Sequence, residues 1–269
     1  MVSVIGGGDN TVDTYVHQRM RYPGGNAVNV AVLAGRYGAQ AAYLGWLGDD
    51  ERGRLLLTAL EAEGLDVSHC RVLPDVPTAF SEVELVDGDR VFGPSDTGAC
   101  ARIDLTEADL DYLRGFDVVH SSVFSHLEGQ MERLKSGSHC LAFDLSQRCD
   151  GPYLEAVLPH VDFAFLSAAD LPYGDQEDLA RRMLALGPTW VVITRGKEGA
   201  WAYNGRGVYH QGILPVEAVD TLGAGDAFAA RFLVEIAAGQ PVRPALLAAA
   251  QSAAENCTHF GAFGYGQSY

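Results

Sequence analysis

Short runs of β-branched and aromatic residues alternate with stretches of helical periodicity along most of this chain, and that alternation leaves few folds open. Val118 to Val123, Leu141 to Phe143, Phe163 to Leu166 and Trp190 to Thr194 are strands by residue type. Between and around them, Glu51 to Glu63 and Asp178 to Leu186 carry apolar residues at helical spacing. Thr106 with Asp109 forms a capping box ahead of Leu110 and Leu113. Strand and helix in turn predict an α/β chain with a mainly parallel sheet, because each parallel connection must cross a face of the sheet and cover it.

One segment breaks the alternation. Phe80 to Val86 and Arg90 to Phe92 read as two strands joined by Asp87-Gly88-Asp89 with no helix between, which predicts a small antiparallel flap. Asn204-Gly205 signals a second hairpin, between Ala200 to Tyr203 and Val208 to Gln211, at the edge of the main sheet. The chain has 269 residues, a length that stacked α/β units reach as one body, so a single domain over residues 1–269 is the expectation.

Composition narrows the partners. Apolar residues make up 48% and charged residues 20%, enough for a core and unlike a disordered chain. A net charge of -16 opposes nucleic acid and anionic lipid, which bind through clustered Lys and Arg. Cys70, Cys100, Cys140, Cys149 and Cys257 are odd in number and lack a metal-ligand spacing, so they read as reduced thiols of a cytoplasmic protein. Met1 leads into the apolar Val2 to Ile5 without a basic start, and no apolar run approaches the ~18 residues of a membrane span.

The chemistry concentrates in Asp220-Thr221-Leu222-Gly223-Ala224-Gly225-Asp226, which runs straight into a helical pattern from Ala227 to Ala238. The first N–H groups of a helix have no internal partner and carry partial positive charge, so Gly223, Ala224 and Gly225 would let a phosphate approach bare backbone. Asp226, in the first turn of that helix, is placed to take a proton from a hydroxyl attacking such a phosphate. Near the N-terminus, Gly24-Gly25 precede a helix bearing Asn29, where backbone and an amide side chain can meet a polyol. Gly6-Gly7-Gly8 is no dinucleotide fingerprint, since Thr11 stands where the third glycine belongs. None of the eight histidines falls in a ligand pattern; His120 and His126 flank a strand end from which they could reach a cleft, but a structural histidine on a strand is the first reading.

Residues 220–226 match in full the Asp-Thr-x-Gly-Ala-Gly-Asp pattern of the PfkB, or ribokinase-like, carbohydrate kinases, and the chain resembles that family from Asp9 to Gly261. Gly24-Gly25-Asn26-Ala27-Val28-Asn29-Val30-Ala31, then Gly45 to Asp50 and Gly53, resemble its N-terminal motif. The resemblance implies a doubly wound sheet with a small β-strand lid, from segments near 10–22 and 78–100, and phosphoryl transfer from Mg²⁺-ATP to a sugar hydroxyl. It casts Asp226 as the base, Gly223 to Gly225 as the anion hole, and Asp9, Asp13, Gly24, Gly25 and Asn29 as sugar contacts. Thr194, Gly196 and Gly199 in Thr194-Arg195-Gly196-Lys197-Glu198-Gly199 would border ATP, with the last helix and Asn256 beside the adenine.

Ser167-Ala168-Ala169-Asp170 departs from the family's Asn-x-x-Glu, leaving Asp170 as the carboxylate for the Mg²⁺ water network. The resemblance also implies the Asp220 loop as the place for a monovalent cation such as K⁺. Gly8-Asp9-Asn10, the Gly24 to Ala31 motif and Arg90-Val91-Phe92-Gly93 together resemble the fructosyl-amine branch, which implies the 6-hydroxyl of fructoselysine as acceptor, Arg90 and Phe92 as lid contacts, and pairing of two lids in a homodimer. The rival readings are a kinase of ribose, fructose, adenosine or a related acceptor, and a sugar sensor that has lost catalysis.

Overall fold

The computed structural model describes residues 1–86, 89–169 and 171–269, with the side chains of residues 85–91 and of Tyr173 outside that description. Asp170, the side chain of Arg90, and Asp87-Gly88 in the flap turn therefore fall outside it.

The chain opens with β1 (Ser3–Gly7), β2 (Thr11–Tyr15), β3 (Met20–Gly24), α1 (Asn26–Arg36), β4 (Gln40–Leu44), β5 (Trp46–Gly48) and α2 (Glu51–Ala62). It continues through β6 (Arg71–Leu73), β7 (Phe80–Val86), β8 (Asp89–Asp96), α3 (Glu107–Leu113), β9 (Val118–Ser122) and α4 (Met131–Ser136). Then come β10 (Leu141–Asp144), α5 (Gly151–Val157), β11 (Phe163–Ser167), α6 (Tyr173–Leu186), β12 (Trp190–Thr194), β13 (Ala200–Asn204) and β14 (Gly207–Gln211). The last elements are α7 (Ala224–Ala237), α8 (Val242–Asn256) and β15 (Gln267–Ser268). The expected capping box is present at α3, with Thr106 and Asp109 exchanging their bonds.

Eight strands form the main sheet in the order β14-β13-β12-β11-β10-β9-β1-β4. It is parallel from β4 to β12, and β13 and β14 add the expected antiparallel hairpin at the edge. Side chains alternate between the faces, as the pleat requires. Val4, Val118, Ala142 and Val192 pack with residues of α1, α2, α7 and α8. Their neighbours Ile5, Val119, Phe143 and Val191 pack with residues of α3, α4, α5 and α6 on the other face. Both faces are thus apolar, which is why the strands read as continuous apolar runs.

The second sheet, β15-β3-β2-β7-β8, is the lid. The flap seen in the sequence is its β7–β8 hairpin, with β8 reaching on to Asp96. Sequence periodicity gave no hint of β15, which adds the end of the chain to β3. Tyr15, Tyr22 and Val83 make the core of the lid and pack against Leu222 and Phe260, so the lid rests on the Asp220 to Asp226 turn.

The order of the main sheet reverses beside β1, since β4 lies to one side and β9 and its successors to the other. The region outside the carboxyl ends of the strands at such a reversal is the usual ligand position in sheets of this kind. Asp9 follows β1, and Ser122 and Asp144 end β9 and β10, so all three lie at this end of the sheet.

Candidate active site

Asp226 sits in the first turn of α7, whose N-cap is Gly223 with φ 77°. That left-handed conformation is costly for a residue with a Cβ, and a Cβ here would lie 2.4 Å from that of Ala262. Glycine therefore lets the turn close and start the helix. The first helical bond comes from Ala227 N–H to Gly223 O at 2.8 Å, which leaves the N–H groups of Gly225 and Asp226 ahead of it for an anion. Gly225 is exposed, with nothing within 4 Å of its Cβ position.

The carboxylate of Asp226 is gripped from α1. Asn29 Nδ2 donates to its Oδ2 at 2.6 Å, and Asn26 Nδ2 donates to its Oδ1 at 2.7 Å. The second hydrogen of the Asn26 amide goes to Asp144 Oδ2 at 2.8 Å, and Ser146 N–H donates to Asp144 Oδ1 at 2.7 Å. Asn26 thus bridges two carboxylates. Burial, then the charge of Asp144, push the Asp226 carboxyl up to about 8, while the Asn29 and Asn26 donors act the other way. Burial likewise raises Asp144, to about 6. Asp226 keeps a partial opening to solvent although its carboxyl lies among these groups.

Three residues of this network are beyond the sequence reading. Asn26 lies inside the recognised glycine motif but no role was assigned to it. Asp144 ends an apolar parallel strand, and a carboxylate at that position was the available signal. His120, read as structural, is fully buried in β9, and its Nε2 meets Asn26 Oδ1 at 2.7 Å.

The expected sugar contacts divide. Asp13 is buried on β2 beside Gly24, where a Cβ would come within 2.8 Å of its Oδ2 and 3.7 Å of Asn29 Oδ1. Asp13, Gly24 and Asn29 are therefore together. Asn29 Oδ1 has no hydrogen-bond partner and is the acceptor left for a ligand. Asp9 turns inward: its Oδ1 accepts from Ser122 Oγ at 2.7 Å, Ser125 Oγ at 2.9 Å and Ala27 N–H at 3.3 Å. It ties β9 to the start of α1, and burial raises its carboxyl. Gly25, with φ 109°, packs on the backbone of Asn10, 2.5 Å from its Cβ position to Asn10 Cα. Its immediate use is to let β3 turn into α1. Phe92 is 60% exposed on β8.

Asp220 is buried under the glycine turn, accepting from Tyr15 Oη at 2.5 Å, Leu222 N–H at 3.0 Å and Gly261 N–H at 3.2 Å. It ties lid, turn and the C-terminal loop together. Tyr15→Phe is expected to cost about 2 kcal/mol, the usual worth of a hydrogen bond to a charged group. A melting curve would then fall by ~4–8 °C, and an unchanged melting temperature would show that this tie carries no stability. Asn256 is buried behind the same turn and donates to Leu222 O at 2.8 Å, so it braces the turn.

Thr194 ends β12 on the same strand-end side of the sheet, and Gly196 and Gly199 take φ 50° and 93° in the following loop. Between them the buried Arg195 pairs with Glu198 at 2.7 Å and donates to Ala168 O at 3.1 Å and to Leu171 O. It fastens the segment after β11 to the loop after β12, a positioning task that the sequence reading missed. Among the described residues no three His, Cys, Asp or Glu side chains gather to hold a metal ion. The five cysteines are all free thiols, and no helix among the described residues is long and apolar enough to cross a membrane.

Comparison with known proteins gives the family. The model of the pfkB family carbohydrate kinases matches residues 3–264. Fructosamine kinase FrlD of Bacillus subtilis is 39% identical, covering 100% of this chain and 95% of its own length. Fructoselysine 6-kinase of Shigella flexneri is 39% identical over 95% of this chain and 97% of its own. Ribokinase from Arabidopsis thaliana, solved with ribose and ATP, superposes with a TM-score of 0.84 at 20% identity, covering 98% of this chain and 95% of that one. An Escherichia coli ribokinase-type protein solved with ATP and Mg²⁺ gives 0.84 at 22% identity, with coverage of 98% and 95%. These two share the ribokinase-like fold. The chain belongs to the pfkB family of carbohydrate kinases. It is an ATP-dependent sugar kinase.

Proposed function

We propose that this kinase transfers the γ-phosphoryl group of ATP to the 6-hydroxyl of fructoselysine. The observation that carries phosphoryl transfer is the Asp226 carboxylate in the first turn of α7, held by Asn26 and Asn29 next to Asp13 and Gly24. The acceptor rests on relatives named for fructosamine or fructoselysine at 38–39% identity, against 30–31% for relatives named fructokinase or ribokinase.

A hydroxyl seated between Asp13 and Asp226 gives its proton to Asp226 as it attacks the γ-phosphorus and the bond to the β-phosphate oxygen breaks. A carboxyl raised to about 8 is a stronger base than an ordinary aspartate once ionised, and its pKa lies close to working pH. The N–H groups of Gly225 and Asp226 face developing charge, where preorganised donors act most. Thr194, Gly196 and Gly199 would border the nucleotide, with Asn256 bracing the turn from behind. Mg²⁺ takes one or two protein carboxylates and otherwise phosphate oxygens, so the donor set here fits an ion carried by ATP, where it neutralises phosphate charge. Asp170 is the further carboxylate proposed for it.

Finer expectations stand with this proposal: K⁺ at the Asp220 loop, a homodimer in which the exposed Phe92 of the lid meets a second copy, and a cytoplasmic setting. The test is ADP release by the purified protein with Mg²⁺-ATP and fructoselysine, psicoselysine, fructose, ribose or adenosine. Turnover strongly favouring fructoselysine is expected. Preference for another acceptor keeps the mechanism and discards this substrate, while no turnover with any acceptor favours the sensor.

A further inference from the structure

We propose that His120 is a positioning residue: its Nε2–H sets the orientation of the Asn26 amide and, through it, holds the carboxylate of the base Asp226. The inference rests on the reading of Asp226 as the base. An amide can occupy one site in two orientations that exchange its oxygen and nitrogen. At Asn26, one end faces two carboxylates, Asp144 Oδ2 at 2.8 Å and Asp226 Oδ1 at 2.7 Å, and the other end faces His120 Nε2 at 2.7 Å. Carboxylates that are both, or even singly, ionised need donors, so the NH₂ end belongs to them. The carbonyl end then meets His120 and needs a donor there, which only the Nε2–H tautomer supplies.

The imidazole is suited to hold that tautomer. It is fully buried, and burial alone depresses its pKa to about 3, so it stays neutral. Its Nδ1 has no hydrogen-bond partner, as fits a nitrogen that carries no proton to place. Phe165 packs edge-on at 6.3 Å between ring centres. The charged and titratable groups around the base come from separate elements: Asp9 after β1, Asp13 on β2, Asp144 on β10 and His120 on β9. Of these, Asp144 and Asp9 raise the Asp226 carboxyl, and Asn26 and Asn29 are the groups that lower it. Loss of the His120 donor frees the amide to turn its oxygen toward the carboxylates, and Asp226 becomes harder to ionise.

His120→Phe keeps a buried ring and removes the donor, whereas His120→Gln places an amide N–H where Nε2–H stood. Rates across pH would be measured for both. His120→Phe is expected to lose about tenfold in kcat, the equivalent of one buried hydrogen bond. The acid limb of its kcat/KM profile should also move up by roughly one pH unit, while His120→Gln keeps the wild-type limb and most of the rate. Equal losses in both variants with the acid limb unmoved would mean a merely structural histidine and would overturn the proposal, as would wild-type behaviour of His120→Phe. Nitrogen NMR of histidine-labelled wild-type protein tests the same idea without a substitution: a proton on Nε2 across the active pH range supports it, and a proton on Nδ1 overturns it.

Discussion

Asp226→Asn is expected to lower kcat by ~10²- to 10⁴-fold, the usual worth of a general base, and at the same time to raise the melting temperature at neutral pH. The two effects share one cause. Burial and the neighbouring Asp144 make the ionised carboxylate unfavourable in the folded protein, which is also what would suit it to the proposed role of base. The amide fits the same place. Asn26 Nδ2 can still donate to its oxygen, and Asn29, whose Oδ1 has no partner, can turn to accept from its NH₂. Removing a group that the fold holds off its ordinary pKa should stabilise by ~2 kcal/mol at neutral pH, or ~4–8 °C in melting temperature.

The pH dependence follows in sign. The carboxyls of Asp144 and Asp226 are raised to about 6 and about 8, above their unfolded values, so between those limits the folded protein binds more protons than the unfolded chain. The contribution of these two carboxyls to stability is therefore fully present below the ordinary carboxylate range and is lost as pH rises through about 6 and about 8, and Asp226→Asn should remove the later part of that loss. Denaturation curves at several pH values, paired with rates and sugar binding, check this. A variant that binds sugar and turns over like wild type would remove Asp226 from the chemistry.

Gly223→Val should disable both folding and turnover. A β-branched residue at φ 77° is strained, and its Cβ would stand 2.4 Å from Ala262 Cβ and 2.9 Å from Ala262 Cα. Strain and overpacking together are expected to cost roughly 3–5 kcal/mol, with at least a ~10²-fold loss of kcat/KM as the donors of the anion site shift. Gly225→Ala separates the two effects, since nothing lies within 4 Å of its Cβ position. It should melt near wild type and lose activity because a methyl group intrudes where the phosphate approaches. A stable and active Gly223→Val would show that the turn does not depend on this closure.

Residues 220–226 were legible as a glycine turn opening a helix, with the proposed base in its first turn, because everything that motif needs is local. The strands and helices were legible for the same kind of reason. Apolar periodicity is imposed on each segment by a sheet buried on both faces and by the helices that cover it. The β7–β8 hairpin of the lid also announced itself, since two β-rich runs with no helix between them can do little else.

Tertiary structure decided what surrounds Asp226. Asn26 meets His120, Asp144 and Asp226 across sequence separations of 94, 118 and 200 residues. Whether a buried histidine is an inert core residue or part of such a network depends on what packs against it, which local sequence does not encode. The same holds for Asp9, turned inward by Ser122 and Ser125, and for Asp220, which binds the lid to the C-terminal loop. Local propensity and pattern thus fixed the elements and the one self-contained motif. The burial and the neighbouring carboxylates that raise Asp226 belong to the topology, because it brings the ends of β1 and β10 together beside the start of α7.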